Sequence, residues 1–315
     1  MLTEMIWKNI YKISTVFDKT GVVFLYLFVT KNGLVIIDTG ASDSPKSVLE
    51  PALSELGMEL RDISVILNSH AHLDHSGGNK EVKSISGAKI YLHPGDLFMA
   101  RSVEAQTEYH VGPLRELGFP QEAIEQRVAH VKNNAGEEFE PDFLLKDGEV
   151  LDFGDIQLRV IHLPGHSPGL TGFYLENPGI LFSADGIQGQ GARPGSFPYI
   201  FYTYDYRKSL EKVLSLKPNW ICLGHAYHGG SLVNYPVRKD EDAKRFINCS
   251  ISVSEALRVS TEKVMNANKD AEIKTLARLI LDDLLFEIPQ LRMRSTGFPL
   301  LAGPTILSSI KEFYT

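Results

Sequence analysis

NSHAHLDHSGGN, residues 68–79, places three histidines and an aspartate within the six positions His70 to His75. The apolar run ISVILN (63–68) predicts a strand that ends where this cluster begins. His70 and His72 are two apart, so at a strand end they point the same way. Asp74 and His75 follow in a predicted loop that can aim each one separately. Imidazole nitrogens and carboxylate oxygens at this density suit a metal, and zinc takes about four such ligands, one of them left open in a catalytic site. Four candidates in one loop are too many for one open site and too few for two complete ones. Partners from elsewhere in the chain are therefore expected.

Three candidates stand out. His166 lies in LPGHSPG, Asp185 in FSADG and His225 in CLGHAYHGG, each just after a predicted strand and close to glycine. Around them the chain reads as strands at 10–17, 22–29 and 33–38, a helix at 44–57, and strands at 63–68 and 88–93. Residues 96–131 are read as a helical insertion, broken at Gly112-Pro113 and again between Gly118 and Pro120. Strands return at 149–153, 156–163, 171–176 and 179–184. A loop rich in glycine, proline and aromatics (186–204), a helix at 205–217 and a strand at 219–224 follow. Beyond about residue 237 only helices are expected. Strands covered by helices on both sides predict an αββα sandwich over residues 1–236, with a helical cap or dimerisation region over 237–315.

The bulk numbers agree with a soluble globular chain. It has 315 residues, 43% hydrophobic and 23% charged, and a formal charge of −7. That balance disfavours a broad nucleic-acid surface. Two cysteines, Cys222 and Cys249, exclude a disulfide framework and thiolate metal sites. The longest apolar run, VVFLYLFV at 22–29, is far short of the roughly 20 residues that span a bilayer, and the first residues do not read as a signal peptide. A cytoplasmic protein with no membrane partner is expected.

HxHxDH at 70–75, followed by His166, Asp185 and His225, resembles the metallo-β-lactamase superfamily, and IIDTG at 36–40 is similar to its first motif. The resemblance covers roughly residues 10–230 and implies the four-layer αββα sandwich. It assigns His70, His72 and His166 to one metal and Asp74, His75 and His225 to a second, with Asp185 bridging both. Asp38 would hold the loop from behind, and His228 would be a supporting or pocket-wall group. Two divalent ions are implied, zinc first, with manganese or iron as alternatives. His72 stands where a di-iron redox branch has glutamate. The complete ligand set is similar to glyoxalase II, lactonases, phosphodiesterases and tRNA-processing nucleases.

Such a centre would activate a shared water for attack on an ester-type bond, a thioester or lactone with an apolar acyl part. Asp74 and Asp185 would be its catalytic carboxylates. Tyr202, Tyr204 and Tyr206 are candidates for the substrate pocket, one of them as a donor to the oxyanion. A small-molecule substrate is expected, with a homodimer through the helices competing with a cap. The alternatives are a phosphodiesterase or nuclease, or a metal-containing binding or regulatory protein. His93 and His162 read as hydrogen-bonded structural histidines, and His110 and His130 as surface groups of the insertion.

Overall fold

The strand Gly21–Thr30 organises the core of this computed structural model, which describes residues 1–17, 21–192, 197–229, 235–288, 291 and 300–315. Its side chains alternate. Phe24, Tyr26 and Phe28 face a second sheet, while Val23, Leu25 and Leu27 face helices. Both faces are buried, which is why the segment reads as an unbroken apolar run. In chain order, β1 (Thr3–Trp7), β2 (Ile10–Phe17), β3 (Gly21–Thr30), β4 (Gly33–Ile37), β5 (Ile63–Leu67), β6 (Lys89–Leu92) and β7 (Phe143–Leu144) form the first sheet. It is antiparallel from β1 to β4 and parallel from β4 to β7.

The second sheet contains β8 (Val150–Asp152), β9 (Gln157–His162), β10 (Thr171–Leu175), β11 (Ile180–Ala184), β12 (Trp220–Leu223) and β13 (Val237–Lys239), in the order β13-β12-β11-β10-β9-β8. Between the sheets, Tyr26, Phe28, Phe173 and Phe182 pack with Val160 and Leu158. Each such side chain contributes on the order of 1.5–3 kcal/mol by leaving water. The Tyr26 hydroxyl crosses the gap to the Leu223 carbonyl at 2.7 Å.

Helices cover both outer faces. A π-helical turn, Pro45–Leu49, runs into α1 (Glu50–Glu55), and α2 (Leu73–Ser76) and α3 (Asn79–Ser86) follow. The expected insertion is α4 (Leu97–Ala100), α5 (Val103–Glu116) and α6 (Gln121–Asn134). Against the second sheet lie α7 (Thr203–Leu216) and the start of α8 (Asp240–Ala267). The C-terminal helices are completed by α9 (Ile273–Glu287) and α10 (Gly303–Phe313). The expected αββα sandwich, with a helical insertion and a helical C-terminal region, is what the chain forms. Residues 193–196 of the expected 186–204 loop lie outside the described residues.

Several local expectations need correction. The Gly112-Pro113 break is absent, because α5 runs through Pro113. Proline there removes one backbone donor, and burial of Thr107, His110, Val111 and Leu114 holds the helix regardless. A strand does occur at residue 237. It is three residues long, and it pairs with β12 before passing directly into α8. Its charged centre hid it, yet Arg238 is 1% exposed, its guanidinium 4.2 Å from the Phe246 ring and bonded to the Tyr227 carbonyl. Strands β1 and β7 are likewise set by pairing rather than by their own pattern. Among the described residues, no helix is long and apolar enough to cross a membrane.

Candidate metal centre

Every proposed ligand, and Asp38 behind them, follows the C-terminal end of a strand, and these ends share one edge of the sandwich. β4 leads to Asp38, β5 to the 70–75 cluster, β9 to His166, β11 to Asp185 and β12 to His225. Asp74 and His75 do not lie in a loop as expected but in the short helix α2, after extended His72.

Three groups of side chains have ligand atoms within 4.8 Å of one another: His70, His72 and His166; His70, His75 and Asp185; and Asp74, His75 and His225. Asp185 Oδ2 joins them, at 3.6 Å from His75 Nε2, 3.4 Å from His166 Nε2 and 3.3 Å from His225 Nε2. His225 Nε2 is also 3.3 Å from Asp74 Oδ2.

The imidazoles are held from behind. Asp38 accepts from Ser69 N (2.8 Å), from the Ser69 hydroxyl (2.7 Å) and from His75 Nδ1 (2.8 Å). Because the Ser69 hydroxyl spends its hydrogen on Asp38, it accepts from His70 Nδ1 at 2.9 Å. His166 Nδ1 donates to the Tyr199 carbonyl at 2.5 Å and His225 Nδ1 to the Val22 carbonyl at 2.6 Å. Each of these four rings thus turns its Nε2 to the centre, as a metal ligand requires. Nε2 of His70, His72, His75 and His166, and Asp185 Oδ1, are buried with no hydrogen-bond partner among the described residues. Leaving such atoms unpaired costs roughly 1–3 kcal/mol each. Cations would satisfy them together, so the residues fit a two-metal group.

Charge follows the same division. Burial holds His70, His72 and His166 below the usual imidazole range, so they are neutral at physiological pH. Burial also acts to lower His75 and His225, but Asp185 and Asp74 outweigh it. His75 is raised well above its normal value, and His225 is pushed up to about 10. Burial acts to raise Asp74 and Asp185, and here the neighbouring histidines win and hold both ionised. Without metal, protons on His75 and His225 balance the two carboxylates.

Glycine is required at one point in this packing. A Cβ on Gly224 would stand 2.3 Å from Asp185 Oδ1 and 2.9 Å from His75 Cε1.

Two supporting residues escaped the sequence reading. Asp96, fully buried, accepts from Ala71 N (3.0 Å), the Ser167 hydroxyl (2.8 Å) and Gly169 N (2.6 Å). It ties the loop bearing His72 to the loop bearing His166, and burial pushes its pKa up to about 6. Gln188 accepts from Tyr199 N through Oε1 at 2.7 Å, and its Nε2 donates to the Asp185 carbonyl at 3.1 Å. Only the backbone positions of glycine and proline near them marked these turns; no motif did.

Helices and aromatic rings roof the centre. Tyr109 of α5 stacks on Phe201 at 4.1 Å, and both rings lie beside His72. His110 corrects an expectation: it is no surface group but 1% exposed, its ring 4.5 Å from that of His72. The insertion buries that helix face against the site rather than exposing it. His130 is half-buried.

Of the pocket tyrosines, Tyr206 is buried with its hydroxyl accepting from Gln188 N at 2.9 Å. Tyr204 is 55% exposed, on the outer side of α7 near Arg207 and Lys208. Tyr202 is partly exposed beside Tyr109. Tyr199 and Tyr227, not singled out from sequence, lie closer to the ligands, Tyr227 against Asp185. His228 is half-buried, its backbone bonded to Gly191 and Gln190. His93 and His162 are structural as expected, stacked at 3.9 Å, with His162 Nε2 bonding the Pro168 carbonyl.

The fold and this arrangement of donors define the class: the chain belongs to the metallo-beta-lactamase superfamily, whose sequence profile matches residues 18–225. It is 31% identical over 216 residues to a beta-lactamase-like protein 2 homolog of Drosophila melanogaster, covering 69% of this chain and 61% of that protein. It is 28% identical over 149 residues to the human acyl-coenzyme A thioesterase MBLAC2, covering 47% of this chain and 49% of that one. It thus spans less than two thirds of either relative. The hydroxyacylglutathione hydrolase GloC of Haemophilus influenzae is 26% identical over 198 residues, 62% of this chain and 80% of that enzyme. Among solved structures, a metallo-beta-lactamase family protein of Thermus thermophilus superposes with a TM-score of 0.70 at 21% identity, over 97% of this chain and 94% of that one, which establishes the fold.

Proposed function

We propose that this protein is a binuclear metal-dependent hydrolase of an ester-type bond, a thioester before a lactone, with an apolar acyl part. The observation that carries the reading is the set of unpartnered, buried Nε2 and carboxylate atoms gathered at one sandwich edge. His70, His72 and His166 would hold one ion, Asp74, His75 and His225 the other, and Asp185 would bridge them. When bound, two such ions supply Lewis acidity and an activated water at neutral pH. Zinc suits this nitrogen- and oxygen-rich set, and manganese or iron are the alternatives.

The chain's own residues set the reaction geometry. Asp74, held ionised and partly exposed, can accept a hydrogen bond from an attacking water and orient it. Asp38 and Asp96 fix the loops, so the ligands need no rearrangement during turnover. The Tyr109, Phe201 and Phe98 rings exclude water and favour an apolar acyl chain. Two relatives carry the names of enzymes whose substrates are thioesters, which supports that choice. The C-terminal helices act as a brace for this roof, and the formal charge of −7 disfavours a nucleic-acid substrate.

Metal analysis of the purified protein should find close to two transition metals per chain. A panel of acyl-coenzyme A and glutathione thioesters, homoserine lactones and bis-p-nitrophenyl phosphate then decides the chemistry. Cleavage of the phosphodiester alone would overturn the reading.

A further inference from the structure

His70, His75, His166 and His225 share one arrangement: Nδ1–H is given to an oxygen and Nε2 is turned to the centre. His110 is built the other way round. Its Nδ1 lies 3.3 Å from Nη2 of Arg127 and 2.9 Å from the Tyr199 hydroxyl. A guanidinium has only hydrogens to offer and no lone pair to accept with. His110 Nδ1 must therefore accept, and the one proton of the neutral ring sits on Nε2. Arg127 Nη2 also reaches the Tyr199 hydroxyl at 3.4 Å, so that hydroxyl can accept from Arg127 and pass its own hydrogen to Nδ1. Arg127 sets the tautomer, and the Tyr199 hydroxyl is compatible with it.

The Nε2–H so defined is buried without a partner among the described residues, on a ring 4.5 Å from that of His72. A nitrogen that carries its proton cannot coordinate a metal, and it cannot serve as a base. What it can do is donate a hydrogen bond, and the described residues supply no acceptor. A fixed donor beside a reactive centre, with nothing to bond in the resting state, is suited to charge that appears only during reaction.

We propose, resting on the hydrolase reading above, that His110 is a catalytic residue contributed by the roof: its Nε2–H donates to the substrate carbonyl oxygen as negative charge builds there. Arg127 is the positioning residue that keeps the proton on Nε2. The bond keeps its proton on nitrogen throughout, so His110 ends each turnover as it began. The carbonyl oxygen is the better acceptor than the leaving group of a thioester, because a thiol with a pKa near 8.5 departs as its anion with little help, whereas the oxyanion needs stabilising.

The test compares metal-loaded wild type with His110→Ala, His110→Gln and Arg127→Leu on the best thioester from the panel. Loss of one such donor should lower kcat about 100-fold, with KM and the two metals per chain little changed. His110→Gln should recover part of the loss, since its amide can donate from a similar position. Nitrogen-15 NMR of histidine-labelled zinc protein should show His110 protonated at Nε2, with that preference weakened in Arg127→Leu. Wild-type kcat in His110→Ala, metal loss in that variant, or a proton found on Nδ1 would overturn the assignment; the NMR result decides it even if the alanine variant folds poorly. The two failures are distinct: no wild-type turnover of any thioester, ester or lactone defeats the hydrolase reading, while full turnover without the His110 side chain defeats only this role.

Discussion

The floor and the roof of the site are built on opposite principles. The floor is a set of short segments at strand ends, where His75, His166 and His225 are held by a carboxylate or backbone partner behind them and His70 by the Ser69 hydroxyl. The roof is α5, α6 and the 197–206 loop, pressed down by the C-terminal helices through a separate core that includes Leu117, Phe197, Leu257, Ile280 and Ile306. The floor can serve many reactions with one geometry. The roof alone can tell substrates apart. Substitutions in the floor should therefore abolish hydrolysis of every substrate, and substitutions in the roof should change which substrate is preferred.

The largest effect is expected at Asp185, a carboxylate within 3.6 Å of three ligand histidines. Asp185→Ala should lower kcat by more than about 1000-fold and reduce the bound metal, while circular dichroism remains native. Retention of both metals would break the bridging role. Gly224→Ala comes next, because the added methyl collides with Asp185 and His75. It should cost on the order of 100-fold in kcat although it alters no functional group; a neutral outcome would show that the floor is less rigid than its contacts imply.

A third prediction concerns pH. In the metal-free floor His75 and His225 are raised, so both hold protons at neutral pH and release them only as pH climbs, His225 near 10. Metal must displace these protons. Apparent affinity should thus rise with pH by up to about two log units per unit, as measured by chelator competition between pH 6 and 8. The metal-free protein should behave oppositely. A raised histidine stabilises the fold fully below its unfolded value and loses that contribution as pH rises through the folded one, so thermal stability without metal should fall towards pH 10.

This contrast also explains what could be seen in the sequence. The seven floor residues were legible because a metal demands particular atoms, and those atoms come from few residue types at strand ends beside glycine. The strands were legible because burial on one or two faces imposes a period, as in 22–29. Asp96 was not, since a buried aspartate that accepts backbone hydrogen bonds looks in sequence like any turn former after His93-Pro94-Gly95. His110 was misplaced as a surface group because a histidine in a mixed-charge helix has no periodic mark; only packing reveals which face is covered. β13 was missed because three residues with a buried arginine carry no alternation.

Asp96 sharpens the comparison at intermediate size, as it ties the His72 loop to the His166 loop without touching substrate. Asp96→Ala leaves three donors unsatisfied and should destabilise the fold by about 3 kcal/mol, with metal lost first from the His70, His72 and His166 group. Its titration supplies a second readout. In the folded protein Asp96 ionises at about 6 rather than at the ordinary carboxylate value. Between those values the unfolded chain holds fewer protons, so wild-type stability should decline as pH rises from about 4 to 6, and the alanine variant should lack that slope.

The smallest effect should come from the far side of the roof. Thr305, on α10, donates from its hydroxyl to the Pro198 carbonyl at 2.6 Å and accepts from Ile200 N at 2.8 Å. These two bonds bracket Tyr199, whose carbonyl holds His166 and whose hydroxyl faces His110. Thr305→Val keeps the shape and removes both bonds, costing about 1 kcal/mol or slightly more. The floor does not depend on Thr305, so metal content should be unchanged. KM for a long-chain thioester should rise relative to a short one, because the loop that carries Phe201 is loosened. Equal changes for both chain lengths would mean that α10 braces the fold without shaping the acyl pocket, and would separate the C-terminal helices from substrate choice.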